Sequence, residues 1–242
     1  MSEKDTADHD KRTRKIGLAL YSLGLLLGLI LAIMAIWGDL EASLFDVLSK
    51  PDRTLTRLNC PVLITADEKT AVIEATLKSD RDQIENLKVW AHITLGWASL
   101  IREEETHLSL LPGDVQVVEW PISADDAAWN RIILVRVGTV RNVPYPQRIG
   151  ATCGVLVVPV KGITGAQIVF ATLLASMFLL IVGAWMSGIT HRPPNTQELK
   201  SRMILFAALT GAALLLSFLK LWLLGLLVIL LILLLIVNFI SS

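Results

Sequence analysis

Three long apolar runs constrain the fold of this 242-residue chain more than any other feature. Residues 16–37 and 165–187 contain no charged side chain, and residues 203–240 contain only Lys220. Because a helix rises 1.5 Å per residue, about 20 apolar residues cross the ~30 Å hydrocarbon core of a bilayer. The sequence predicts transmembrane helices at 16–37 and 163–187. The third run is too long for one span and predicts a hairpin of two helices over 203–240.

Small residues in these runs predict where the helices pack. Gly24, Gly28 and Ala32 recur every four residues in the first run, and Ala207 and Gly211 lie in the third. Small side chains let helix backbones approach closely, so these five residues are expected helix contacts. The second run has a similar stripe of small or weakly polar residues, Thr172, Ser176 and Gly183. The first run is longer than the apolar region of a signal peptide, usually about 7–15 residues, which favours a retained anchor.

Basic residues indicate the side of the membrane on which each connection lies. Residues 1–15 end in a basic cluster beside the first run, and residues 188–202 are basic and contain two adjacent prolines. Short loops rich in Lys and Arg remain cytoplasmic. The tail 1–15 and the loop 188–202 are therefore expected inside, and residues 38–162 outside.

Aromatic and basic residues near the ends of the runs are expected at the membrane–water interfaces. Trp37 and Trp185 end the first two runs, and Lys220 and Trp222 mark the middle of the third. Tryptophan favours this interface, and a lysine there can extend its ammonium group to water. These four residues are predicted to fix the depth of the helices in the bilayer.

Residues 58–160 show the apolar–polar alternation of β-strands. Seven predicted strands cover 61–66, 70–77, 87–97, 106–111, 115–122, 131–140 and 151–160. A period of two with one apolar face is typical of half-buried antiparallel strands. About seven short strands in ~100 residues predict an all-β, immunoglobulin-like sandwich. The expected fold is a membrane protein with α-helical transmembrane segments and this ectodomain, joined to the first span by an amphipathic linker at 38–57.

One stretch within this domain resembles a known module. Leu110–Ile122 reads LLPGDVQVVEWPI, a Pro-Gly turn followed by an alternating strand that contains a tryptophan. It resembles a hairpin of many bacterial immunoglobulin-like modules. The resemblance is confined to this stretch and implies a fold class without a function, because such sandwiches serve many roles.

Cys60 and Cys153 are the only cysteines, and both lie in the segment expected outside. An even number of cysteines in an oxidising compartment favours a disulfide, with two buried thiols as the alternative. Their wide separation and the absence of a C-x-x-C motif argue against a metal or redox site.

The residue pattern indicates neither catalysis nor a cofactor. The histidines are far apart, and the run Glu103–Glu105 is expected to be a solvated turn. The predicted spans contain no carboxylate, which counts against ion-coupled transport. A net charge of zero gives no support for a nucleic-acid partner.

The sequence therefore favours a non-catalytic accessory or assembly subunit of a larger complex in a bacterial inner or plasma membrane. Its partners would be the lipid bilayer and other integral membrane proteins, reached through protein–protein contact. Two alternatives remain open, an extracytoplasmic ligand-binding or sensing protein and a component of a transporter.

Overall fold

The protein is described from a computed structural model over residues 3–45, 54–69, 71–79, 82–94, 101–141, 149–189 and 196–241. Its helices are α1 (Glu3–Phe45), α2 (Gly165–Ile189), α3 (Thr196–Phe218) and α4 (Trp222–Ser241). Its strands are β1 (Leu55–Asn59), β2 (Leu63–Thr65), β3 (Ala71–Lys78), β4 (Glu85–Thr94), β5 (Ile101–Leu110), β6 (Val115–Ile122), β7 (Ile132–Arg141) and β8 (Ile149–Val158). The chain forms two compact units: a helical unit of Met1–Ile36 with Val169–Ser242, and a β unit of Trp37–Ile168.

The β unit contains two sheets. One has the order β1-β3-β6 and the other the order β2-β8-β7-β4-β5. Neighbouring strands are antiparallel except β2, which runs parallel to β8. The structure thus confirms the expected β domain in its coarse form, as sheets built from alternating strands.

A single buried cluster draws side chains from both sheets. Ile73 and Leu77 of β3 enter it from the first sheet, and Val89, Ile93 and Val135 enter from the second. Each is separated by an even number of positions from the other members of this cluster on the same strand, as expected for side chains on one face of a strand. Burial of this apolar surface is the main force that holds the two sheets together.

A disulfide joins Cys60 to Cys153, with their Cα atoms 6.5 Å apart. Cys60 lies between β1 and β2, and Cys153 lies within β8. Both residues are buried members of the core cluster. The bond therefore ties the start of the β unit to its last strand.

Two segments of the β unit differ from the sequence-based expectation. Strand β1 lies partly inside the segment 38–57 that was expected to be a linker, and residues 46–53 of that segment lie outside the described residues. Residues 103–105 form the middle of β5 rather than a solvated turn. They fit a strand because Glu105 pairs with Lys88 and Glu103 pairs with His92 on β4, so polar cross-strand pairs replace an apolar face.

Helix α1 is longer than the predicted span 16–37. It begins within the predicted tail 1–15 and continues to Phe45 through the first part of the predicted linker. Gly38 is the only strong helix-weakening residue near this boundary, and a single glycine costs only about 1 kcal/mol in a helix. The end of the predicted span is therefore not the end of the helix.

Three helical segments among the described residues are long and apolar enough to cross a membrane: Arg12–Leu44, Gly165–Ser187 and Lys200–Phe218. The apolar stretch of α4, Trp222–Asn238, is shorter. Helix α3 begins at Thr196, inside the predicted loop 188–202.

The turn between α3 and α4 is closed at Lys220. This residue has φ of 61°, in the left-handed region. The Leu221 amide donates to the Leu216 carbonyl and the Lys220 amide donates to the Ser217 carbonyl. This is the hydrogen-bond pattern of a Schellman motif, in which glycine is the usual left-handed residue.

Candidate functional site

The outward face of the five-stranded sheet carries an aromatic and charged cluster. The His92 ring lies 4.4 Å from the Trp90 ring, and the Arg136 guanidinium lies 5.0 Å above the Trp90 ring. Trp90 pairs in register with Gly138 on β7. A guanidinium over an aromatic face is attracted by the ring quadrupole, which helps to hold this group in place.

Ion pairs extend this cluster onto the edge strand β5. Lys88 Nζ lies 2.5 Å from Glu105 Oε1, and His92 Nε2 lies 3.1 Å from Glu103 Oε1. These pairs are exposed and each contributes only about 0–1 kcal/mol. Together with Arg136 they surround a cavity of about 200 Å³. Ligand pockets commonly have volumes of about 300–1,000 Å³, so this cavity suits only a small polar group.

The other half of the same face is covered by the end of α1. Ala42 is fully buried in a cluster with Ala128, Ile132 and Leu134. Gly38 and Gly154 bring the helix and β8 into backbone contact, because a Cβ at Gly154 would lie 1.9 Å from the Gly38 carbonyl oxygen. Glycine is required on the strand at this approach.

A tight turn before β7 presents an exposed tryptophan. Trp129 and Asn130 have φ of 51° and 54°, and the Arg131 amide donates to the Ala128 carbonyl at 3.0 Å. Two positive φ angles in a turn closed in this way match a type I′ turn, which normally takes Asn, Asp or Gly. Trp129 is 63% exposed and is a backbone outlier of the kind that clusters at functional sites.

The register of the strands places this turn at one end of the β unit. Ile132, the first residue of β7, pairs with Leu156 near the end of β8. Val160 and Ile163, in the connection that leaves β8 for α2, are exposed apolar residues at the same end. The turn at Trp129 therefore lies at the end of the domain where β8 leads into α2.

The start of α2 is fixed to the turn that follows β2. Glu68 Oε2 accepts from the Gly165 amide at 2.8 Å and from the Thr65 amide at 3.1 Å. Asp67 Oδ2 accepts from the Gly162 amide at 2.8 Å, and this hydrogen bond is the main cause of a lowered pKa for that carboxyl group. The first amide groups of a helix need such acceptors, so the acidic turn caps α2.

Helices α1 and α2 meet along a seam of small residues. Ser176 Oγ donates to the Gly24 carbonyl at 2.8 Å. A Cβ at Gly24 would lie 2.9 Å from the Leu180 amide nitrogen, and one at Gly183 would lie 2.5 Å from the Tyr21 amide nitrogen. These distances leave no room for larger side chains, so the seam depends on glycine.

The contacts between α1 and α3 only partly match the expected residues. A Cβ at Gly28 would lie 2.9 Å from the Thr210 methyl group, and Ala32 is fully buried against Ala213. Ala207 is half-buried. Gly211 is exposed, and a Cβ there would meet no described atom within 4 Å, so its expected helix contact is not made among the described residues and stays a prediction.

The buried face of α3 instead carries Thr210, Ala213 and Ser217. These residues are spaced three and four positions apart and share one side of the helix. Gly211 is rotated by about 100° from Thr210 and therefore faces away.

The predicted interfacial residues have different surroundings. Trp37 is 53% exposed and Trp185 is 67% exposed. Trp222 instead packs against the cluster of Ala32, Ala213 and their neighbours at the start of α4. Trp222 therefore has a packing role that the sequence did not predict.

Sequence reasoning did not identify Trp129 or the acidic pair Asp67 and Glu68. The only local sign of the turn is Asn130, a residue that tolerates positive φ. The carboxylates are recognisable only once β2 and α2 are brought together. Among the described residues, no group of three His, Cys, Asp or Glu side chains is arranged to hold a metal ion.

The sequence matches no protein-family model and no curated protein. Similar solved structures include β-glucuronidase 2 of Bacteroides uniformis, with 13% identity, a TM-score of 0.29, and coverage of 37% of this chain and 12% of that one. A β-glucosidase from Listeria innocua shares 16% identity at a TM-score of 0.28, covering 42% and 15%. The C-terminal domain of Wzt shares 14% identity at a TM-score of 0.28, covering 43% and 66%. The chain spans less than two thirds of each of these proteins, and likenesses at such scores carry no argument about fold or function.

Proposed function

We propose that this chain is a non-catalytic accessory or assembly subunit of a larger membrane protein complex, anchored by its helices in a bacterial inner or plasma membrane. Its β unit is an immunoglobulin-like sandwich on the extracytoplasmic side, and its amino terminus is cytoplasmic. Helix α4 crosses the membrane as a short fourth span. The basic segments 1–15 and 188–202 support this orientation, since short basic loops remain inside.

The turn at Trp129 carries the proposal. An exposed tryptophan in the left-handed region costs about 1–3 kcal/mol, and such a residue persists only where the surrounding structure fixes it. Here Ala128 and Ile132 are buried beneath the turn and joined by backbone hydrogen bonds. The turn therefore presents an indole in a fixed position, and tryptophan is enriched among the residues that dominate protein interfaces.

The position of the turn favours an integral membrane partner. Trp129 lies at the end of the β unit that leads into α2, together with the exposed residues Val160 and Ile163. Because α2 follows directly from this end of the β unit, we infer that the partner has an exposed surface on the extracytoplasmic side.

A photo-cross-linking amino acid at position 129 in native membranes tests this proposal. The expected result is one discrete adduct with an integral membrane protein that also co-purifies in mild detergent and is lost in Trp129→Ala. The matched control is position 111, because Leu111 is also exposed but lies at the opposite end of the domain. Adducts with lipid alone at position 129, or a monodisperse monomer without a partner, would refute the assembly role.

The polar cavity beside Trp90 favours a second function, extracytoplasmic binding of a small ligand. It combines two carboxylates with Lys88, His92 and Arg136 around about 200 Å³. Hydrogen exchange of β4, β5 and β7 with candidate ligands distinguishes this function. Ligand-dependent protection confined to these three strands would support it.

A further inference from the structure

A long apolar groove runs along the surface of the helical unit between α1, α3 and α4. Its volume is about 390 Å³, and its apolar walls include Leu18, Leu25, Leu29, Phe206, Ile232 and Ile236. From Leu18 to Leu29 it follows α1 for about 16 Å at 1.5 Å per residue. The groove is therefore elongated along the helix axis.

A cation lies at one end of this groove. Arg202 is among the lining residues, and its neighbour Met203 accepts a hydrogen bond through its carbonyl from the Tyr21 hydroxyl. This contact sets Arg202 at the height of Tyr21, near the Leu18 end. Among the described residues that line the groove, Arg202 is the one with a charged side chain.

We propose that this groove binds one acyl chain of an anionic phospholipid, with the lipid phosphate at Arg202. The proposal rests on the membrane insertion proposed above. An elongated apolar channel matches an acyl chain, and a planar guanidinium matches a phosphate through two parallel hydrogen bonds. Basic sites between transmembrane helices on the cytoplasmic side are suited to anionic headgroups.

Basic residues outnumber acidic ones on the adjoining turns, where residues 11–18 carry four cations and no carboxylate, and residues 198–202 carry two cations and Glu198. Arg12, Arg14 and Lys15 lie on α1 before Leu18, and Lys200 precedes Arg202 on α3. The proposed orientation places all of them at the cytoplasmic leaflet, where anionic lipids are concentrated. The groove and its cation thus face the leaflet that supplies the ligand.

Native mass spectrometry of the full chain in mild detergent tests the site with two lipids that share acyl chains, dioleoyl phosphatidylglycerol and dioleoyl phosphatidylcholine. The wild-type protein is expected to retain one phosphatidylglycerol with about fivefold preference, as one well-placed cation near a lipid surface contributes about 1 kcal/mol. Arg202→Gln is expected to abolish this preference. Equal retention of the two lipids by the wild type, or an unchanged preference in Arg202→Gln, overturns the proposal.

Lys200→Gln is the matched control, because Lys200 lies on the same helix and is exposed but does not line the groove. Lys200→Gln is expected to keep the wild-type preference for phosphatidylglycerol. If it loses as much of that preference as Arg202→Gln does, the lipid responds to the overall positive charge of this region, and the proposed site at Arg202 is wrong. Leu25→Trp fills the groove and is expected to remove both lipids. Because Leu25→Trp can also misfold, its helix content is checked by circular dichroism. The comparison of Arg202→Gln with Lys200→Gln tests the proposal independently of Leu25→Trp.

Two further experiments distinguish a bound acyl chain from other possible occupants of the groove. Glycerol phosphate, which carries the phosphate without a chain, is expected to leave the bound lipid in place, and displacement by it overturns the acyl-chain site. A dimer that replaces the lipid and disappears in Leu25→Trp identifies a second copy of the chain as the occupant and also overturns it. Trp129→Ala is expected to lose the partner but keep the lipid, so the two proposals fail separately.

Discussion

Replacing Gly154 by alanine should detach the end of α1 from the β unit. The added Cβ would lie 1.9 Å from the Gly38 carbonyl oxygen, 2.3 Å from its carbonyl carbon and 2.8 Å from its Cα. Ordinary contacts at such positions begin at 3.4 Å, so the helix must withdraw by about 1.5 Å. All three atoms belong to the backbone, and no change of side-chain rotamer can relieve the clash.

The energetic consequence can be estimated from what the withdrawal breaks. Overpacking of this kind costs about 1–3 kcal/mol, which corresponds to an increase of roughly 5- to 150-fold in the opening equilibrium. The movement also separates Ala42 from Ala128, Ile132 and Leu134, which form one buried cluster. The effect should be confined to residues 38–45 and the strand beneath them.

Hydrogen exchange measured by mass spectrometry checks this result. Backbone amides of residues 38–45 should exchange at least about fivefold faster in Gly154→Ala than in the wild type. Thr152→Val is the control, because it changes the same strand two positions away while keeping the side-chain volume. If residues 38–45 keep wild-type protection in a folded Gly154→Ala protein, the reasoning from backbone contact is wrong.

Three further outcomes are expected. Replacing both Cys60 and Cys153 by serine should lower the free energy of unfolding of the β unit by about 4 kcal/mol in urea, since the bond closes a loop of 93 residues; a loss below about 1 kcal/mol contradicts the cross-link argument. Lys220→Gly should raise thermal stability by about 1 kcal/mol, because glycine tolerates the left-handed φ of 61°; a lower melting temperature contradicts it. The hydrogen bond from Gly162 lowers the folded pKa of Asp67, so the stabilisation is complete above the unfolded pKa of about 3.9 and is lost as pH falls through the folded value. The protection factor of the Gly162 amide, which corrects the exchange rate for its intrinsic pH dependence, should therefore fall on acidification in the wild type and stay nearly constant in Asp67→Asn; equal profiles in both proteins contradict the assignment.

Strands with a clear apolar face could be recognised from the sequence, whereas β1 and the first half of β5 could not. Strand β3 alternates buried and less buried residues because one of its sides faces the core. Strand β1 is short and lies at an edge, where only part of one face is buried. Strand β5 hides its periodicity because charged residues that pair across strands occupy its outward positions.

Small residues in a helix predict that it packs against another helix, but they do not predict which face of the helix makes the contact. The sequence offers Ala207 and Gly211 on α3, whereas the structure buries Thr210 and Ala213. Each residue advances the helix by about 100°, so residues one position apart lie on different faces of the helix. On α1, Gly24 and Gly28 are four positions apart and therefore share one face, which identifies the packing face more clearly. Both residues lie at contacts with other helices.

The position of β5 has a consequence for self-association. It forms one edge of the five-stranded sheet, and an open edge is a template for further strands. Its glutamates at 103–105 pair with His92, Arg102 and Lys88 within their own domain. An identical strand from another molecule would bring the same carboxylates to the edge of the sheet. Mutual repulsion therefore keeps copies of the domain from polymerising edge to edge, and neutralising those carboxylates would remove that protection.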